Sequence, residues 1–149
     1  MNASITLVVR RTINAPVARV FEAWTEPRHL LRWWGPRPVI CSQAEVDLRR
    51  GGVYRIGNQL PDGTVVWISG EFELVDPPKM LVYSWHVEGR AMPSGPSRVT
   101  VRFESRSGGT EVVVLHERID SEETRVYHEH GWNGCLDNLE SSFSEQPLV

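Results

Sequence analysis

The spacing of apolar positions changes period along the chain, and each change marks an element. In "ITLVVRRTI" it alternates: Ile5, Leu7, Val9, Arg11 and Ile13 share one face and Thr6, Val8, Arg10 and Thr12 the other, as in a half-buried strand. In "NAPVARVFEAW" a proline stands where a helix begins. Val17, Val20, Phe21 and Trp24 then follow at i, i+3, i+4 and i+7, the stripe of a short amphipathic helix. "TEPRHLLRWW" restarts that pattern, with Thr25 as N-cap and Pro27 in the first turn, and "GPRP" stops it after Trp33 and Trp34. From there the period returns to two. Strands are predicted at about Val39 to Leu48, Val53 to Asn58, Thr64 to Val75, Met80 to Val87, Arg98 to Glu104 and Thr110 to Arg118. The links "RRGG", "LPDG", "DPPK", "GRAMPSGPS" and "RSGG" carry the Gly, Pro and Asp that turns require, and most are short enough for antiparallel neighbours. "GRAMPSGPS" is the longest and reads as a mobile lid or rim.

In "SRVTVRF", Val99, Val101 and Phe103 alternate with Arg98, Thr100 and Arg102, so one sheet face is dry and needs a cover. The last segment supplies it. "DSEE" offers Asp120 as a cap answered by Glu123, and a long helix follows in which Trp132, Leu136, Leu139 and Phe143 form one stripe. Beside them run Tyr127, Gly131, Gly134, Cys135 and Asn138, mostly small. Each glycine in a helix interior costs about 1 kcal/mol relative to alanine, so the pair implies either close packing of the helix or open space beside it.

At 149 residues the chain suits one α+β domain. With 16 Lys+Arg against 19 Asp+Glu it lacks the basic excess that phosphate neutralisation demands, which excludes nucleic acid as the expected partner. Cys41 and Cys135 are far apart and show no CxxC pairing, as expected of ordinary thiols in a reducing compartment. There is no charged leader with an apolar core, and no apolar run approaches the roughly 18 residues of a membrane span, so a soluble cytoplasmic protein is expected. No sustained heptad or long edge strand selects between monomer and homodimer.

Candidate chemistry is sparse. His128 and His130 are two apart on a helix and point to opposite sides, and His116 and Glu117 face opposite ways on a strand, so neither pair has metal-ligand geometry. His86 and His116 are the histidines that could meet across the sheet by tertiary contact. GxSxG, P-loop, GxGxxG and HExxH are all absent, so neither a metal nor a cofactor is expected and an enzyme has no anchor. The chain is rich in tryptophan, with Trp33, Trp34, Trp67, Trp85 and Trp132 in elements that border the sheet–helix interior or its rim. Trp34, at a helix end before "GP", is placed to overhang an opening, whereas Trp24 sits mid-stripe as a structural residue. Arg11 shares an apolar strand face and needs either a carboxylate or an exit to water; the alternative is a polar handle for a ligand. Tyr54 and Tyr83 offer hydroxyls either to a ligand or to the backbone.

The order of strand, two short helices, six antiparallel strands and long helix resembles the helix-grip fold of the START-like, or SRPBCC, superfamily. The words "INAPVARVFEAWTEPRHLLRWWGP", "VDLRRGGVYRI", "PDG", "VDPPKMLVYSW" and "HGWNGCLDNLE" are similar to the heat-shock protein 90 ATPase activator-like family, in the same order over nearly the whole chain. The resemblance implies a curved antiparallel sheet of about seven strands around the C-terminal helix, with a cavity between them that holds an apolar or amphipathic, lipid-like molecule. The ligand-binding set expected on that basis is Arg11, Trp34, Tyr54, Tyr83, Trp85, Val101, Phe103, Gly131, Trp132, Gly134, Cys135 and Asn138. Two alternatives accompany it. One is a co-chaperone-like module acting on a stress-response chaperone ATPase, although the family's eukaryotic namesakes join this domain to a separate one not expected here. The other is an enzyme like the superfamily's polyketide cyclases and aromatases, with Tyr54, Tyr83, His86 and His116 as its acids or bases.

Overall fold

A computed structural model describes residues 5–89 and 96–144. The elements run β1 (Ile5–Ile13), α1 (Val17–Thr25), α2 (Pro27–Trp33), β2 (Ile40–Val46), β3 (Val53–Gln59), β4 (Val65–Asp76), β5 (Met80–Val87), β6 (Ser97–Arg106), β7 (Gly109–Ile119) and α3 (Glu122–Ser144). The core of the loop expected to act as a lid, residues 90–95, lies outside the described residues. The strands form one curved seven-stranded sheet in the order β1-β7-β6-β5-β4-β3-β2, antiparallel at every junction.

Alternation within each strand builds the inner face. The register aligns Leu7 with His116, His116 with Val99, Val99 with Tyr83 and Tyr83 with Phe72, so one row crosses five strands on a single side. α1 covers part of this face, with Phe21 and Trp24 packing edge-on against Phe103 of β6. α3 lies along β1, with β7 and α2 beside it, and buries Trp132, Leu136 and Leu139. The inner face of β3, β4 and β5 lies beyond the bulk of α3, which sets where the site forms. Among the described residues no helix is long and apolar enough to cross a membrane.

Two helix caps differ from expectation. Thr25 closes α1, donating its hydroxyl to Phe21 O at 2.9 Å, and Glu26 is the N-cap of α2. The reason is Pro27, which forces the preceding residue into extended geometry, observed at Glu26 with φ −97° and ψ 126°. At α3 the cap is Ser121, whose Oγ accepts from the Thr124 amide at 3.1 Å, rather than Asp120. The strand before it runs on to Ile119, which moves the helix start to Glu122.

Candidate ligand-binding cavity

A cavity of about 230 Å³ opens between the inner face of β3–β5 and the N-terminal half of α3. Asn58, Leu60, Val66, Ile68, Trp85 and Val87 form its sheet wall, and Tyr127, His128, His130, Gly131, Trp132 and Cys135 its helix wall. Trp34, Pro36 and Val39 close the third side. The sheet wall follows from register. Asn58 continues the inward series Tyr54 and Ile56 on β3 and faces Val66 on β4, while Ile68 faces Val87. The aromatic wall is continuous: Trp34 meets Trp132 edge-on at 5.5 Å between ring centroids, and Trp85 lies 6.1 Å from Trp34 and 5.4 Å from Trp132.

Behind the wall is a buried polar chain. Trp132 Nε1–H donates to His116 Nδ1 at 3.1 Å, and because an indole nitrogen only donates, the imidazole proton sits on Nε2. That proton is donated to Ser97 Oγ at 2.7 Å, and the Ser97 hydroxyl donates on to Trp85 O at 3.4 Å. Burial first, and then the charge of neighbouring His128, pushes the His116 imidazole down to about 3, so it is neutral near pH 7. The tautomer has a chemical consequence. A serine nucleophile needs a histidine nitrogen that accepts its proton, whereas His116 presents a donor to Ser97. The pair is a structural joint between β6, β7 and α3.

Of the residues expected to bind ligand, Trp34, Trp85, Gly131, Trp132 and Cys135 line this cavity. The others lie elsewhere. Tyr54 and Tyr83 border a separate crevice of about 30 Å³, and both hydroxyls have partners: Tyr54 donates to Ser84 O at 2.7 Å and Tyr83 accepts from Trp24 Nε1 at 3.4 Å. Desolvation pushes the Tyr54 and Tyr83 phenols up, so neither serves as a base near neutral pH. Val101 and Phe103 are buried in the core, the latter beneath α1, because alternation fixes a residue's face but not which helix covers it. Arg11 turns to α3, where it pairs with Asp137 at 2.5 Å and Glu140 at 3.1 Å and reaches Asn133 at 3.3 Å.

The small row on α3 divides into two uses. Gly131 has open space where a Cβ would stand. Gly134 does not: an added Cβ would lie 2.5 Å from Pro36 Cβ and 3.0 Å from its Cα. Cys135 Sγ accepts from Gly35 N–H at 3.4 Å and Asn138 Nδ2 donates to Gly35 O at 2.6 Å. Gly134, Cys135 and Asn138 thus seat the Gly35–Pro36 turn that holds Trp34 over the cavity.

Trp67 belongs to the outer face, where the Arg55 guanidinium stacks 3.7 Å from its ring centre and also holds Glu88 at 3.0 Å. His86 is on that face too, one residue from inward Trp85, so the histidine that meets His116 is His128. Among the described residues the group of side chains near enough to share a metal ion is Glu22, Glu26 and His29, a surface cluster that pairs with Arg28. Pattern reading did not assign Asn58, Leu60, Val66, Ile68 or Val87 to a site and weighed His128 only as a metal ligand; a polar residue at the inward phase of β3 was the available signal for Asn58.

The sequence profile described as "Activator of Hsp90 ATPase homolog 1-like protein" matches residues 14–144. The chain belongs to this family. Among solved structures, protein CV1439 of Chromobacterium violaceum superposes with a TM-score of 0.86 at 23% identity, over 95% of this chain and 98% of that one. A Rhizobium leguminosarum protein gives 0.81 at 26% identity, with 97% of each chain covered. CalU16 of Micromonospora echinospora gives 0.70 at 29% identity, over 93% of this chain and 76% of its own. No curated protein matches the chain in sequence. The helix-grip architecture expected from the resemblance is therefore the fold of this family member.

Proposed function

We propose that the protein binds an apolar or amphipathic small molecule in the cavity between the sheet and α3. The observation that carries this reading is the cavity's volume of about 230 Å³ behind a wall of Trp34, Trp85, Trp132, Val66, Ile68 and Val87. That volume lies between an apolar void of about 150 Å³ that admits benzene and the roughly 300–1,000 Å³ of drug-sized sites. It suits a ligand of one or two rings. Binding is favoured over catalysis because His116 presents an N–H rather than a proton acceptor to Ser97, and both inward tyrosines are hydrogen-bonded. A reducing, cytoplasmic setting suits the two buried free thiols.

The test is native mass spectrometry of the purified protein, followed by titration with an environment-sensitive apolar dye. A co-purifying mass, or dye emission that rises and saturates, is the expected result, and the spectrum also decides between monomer and homodimer. A bare mass together with no dye binding would sink the reading.

Family membership favours one second reading, contact with a chaperone ATPase of the heat-shock protein 90 type. The outer sheet face, with Arg55 stacked on Trp67, would be its surface. Stimulation of that ATPase by the full chain, lost on Trp67→Ala, would support it.

A further inference from the structure

The inner face carries two voids in line along the same three strands. On β3, Tyr54 and Ile56 border the crevice of about 30 Å³ and Asn58 the cavity of about 230 Å³. On β4 the lining passes from Phe72 to Ile68 and Val66, and on β5 from Leu81 and Tyr83 to Val87. A strand rises about 3.3 Å per residue, so Leu81 to Val87 spans about 20 Å of one floor. The residues that line both voids are Trp34 and Trp85.

These two rings meet where the voids adjoin. Trp85 comes from the sheet and Trp34 from the C-cap of α2, with ring centroids 6.1 Å apart and 45° between their planes. Trp85 is wedged among His116, His128 and Trp132, with centroids 5.4–6.0 Å away. Trp34 is placed by the chain instead: it is extended, at φ −68° and ψ 138°, and Gly35 follows at φ 108°, a backbone state that glycine adopts without strain. The helix therefore ends where its ring enters the trough. A void of about 30 Å³ holds a water or two and no ring, so a ligand in the larger cavity stops at the indoles. Beyond them the floor continues apolar, through Ile56, Phe72 and Leu81.

We propose that Trp34 is the specificity-determining residue of the site. Its indole, closed on Trp85, partitions a single trough, so the cavity takes compact ring-shaped molecules and refuses extended chains. This rests on the cavity being a ligand site and adds what limits the ligand's shape.

Equilibrium dialysis of the full chain separates the two claims, with naphthalene as the compact probe and the 1-alkanols from hexanol to dodecanol as the extended ones. A methylene that finds buried space raises affinity about fourfold, and one left in water adds nothing. In wild type the gain is expected to stop within the series. In Trp34→Ala it should continue for about two further methylenes, so that dodecanol binds about tenfold more tightly to the variant than to wild type. Naphthalene, which loses a wall, should bind the variant no better. If Trp34→Ala does not fold, Trp34→Leu carries the same comparison, with a smaller extension expected. A gain that runs on to dodecanol in wild type, or one that stops at the same chain length in the folded variant, would overturn the partition and leave the cavity reading standing. If folded wild-type protein binds neither naphthalene nor any alkanol, both fall.

Discussion

His116 and His128 stack with ring centroids 4.5 Å apart and 30° between their planes, one from β7 and the other from α3. The contact brings a ring of the cavity wall against a fully buried one held neutral, and it ties the site to the protein's response to acid. His116 titrates at about 3 in the folded protein against an ordinary 6.5. The unfolded chain therefore takes up the proton first as pH falls, so this contribution to stability is complete above about 6.5 and is lost on the way down to about 3. Across that window the loss should be about 1.4 kcal/mol per pH unit. Urea denaturation at a series of pH values checks it. His116→Gln should flatten the slope, and an unchanged slope would assign the acid sensitivity to other groups.

Arg11 tests whether the cation on β1 belongs to the site or to the scaffold. Its partners Asp137 and Glu140 are 67% and 47% exposed at the side chain, so solvent screens the pairs and Arg11→Met should cost about 1 kcal/mol or less. The cost should shrink further in high salt. Dye affinity should not move, because neither Arg11 nor its partners Asp137, Glu140 and Asn133 line the cavity. A large loss of binding with stability intact would restore Arg11 as a ligand handle.

Trp24 is the aromatic on which the helical layer rests. It contacts Trp33, Trp34, Phe103 and Trp132 with ring centroids 5.0–6.4 Å away. Trp24→Ala should cost about 3–5 kcal/mol, read from the denaturation midpoint at constant slope. A cost near zero would mean that these rings repack without it.

Much of the fold was legible because period marks both the element and its buried face. The β5 boundaries, Met80–Val87, coincide with the alternating run, and the stripe Trp132, Leu136 and Leu139 is buried as its spacing implied. The site was less legible for a physical reason. Alternation says that Phe103 points inward but not that α1, rather than α3, lies over it. The His116–His128 stack joins a strand and a helix whose angular relation is set only by tertiary packing. Asn58 was readable in phase with Tyr54 and Ile56, but whether its side chain finds a partner depends on which neighbours β4 and β5 present.

The glycines of α3 give the most discriminating pair of substitutions. Three residues of α-helix turn through about 300°, so Gly131 and Gly134 look in directions about 60° apart and meet different surroundings. At Gly134 an added Cβ lies 2.5 Å from Pro36 Cβ, with the Pro36 Cα at 3.0 Å, so the turn must shift to make room. The helix propensity gained, about 1 kcal/mol, is then offset by overpacking of about 1–3 kcal/mol. Gly134→Ala should therefore be neutral to destabilising, and Gly134→Leu clearly destabilising. At Gly131 nothing stands within 4 Å of the new Cβ, so Gly131→Leu should keep the propensity gain and place its side chain in the cavity. Stability should hold or rise by about 1 kcal/mol while dye affinity falls. Denaturant stability and dye affinity measured on both variants check the assignment. A stable Gly134→Leu, or a Gly131→Leu that binds dye as well as wild type, would mean that α3 is rotated from the orientation described.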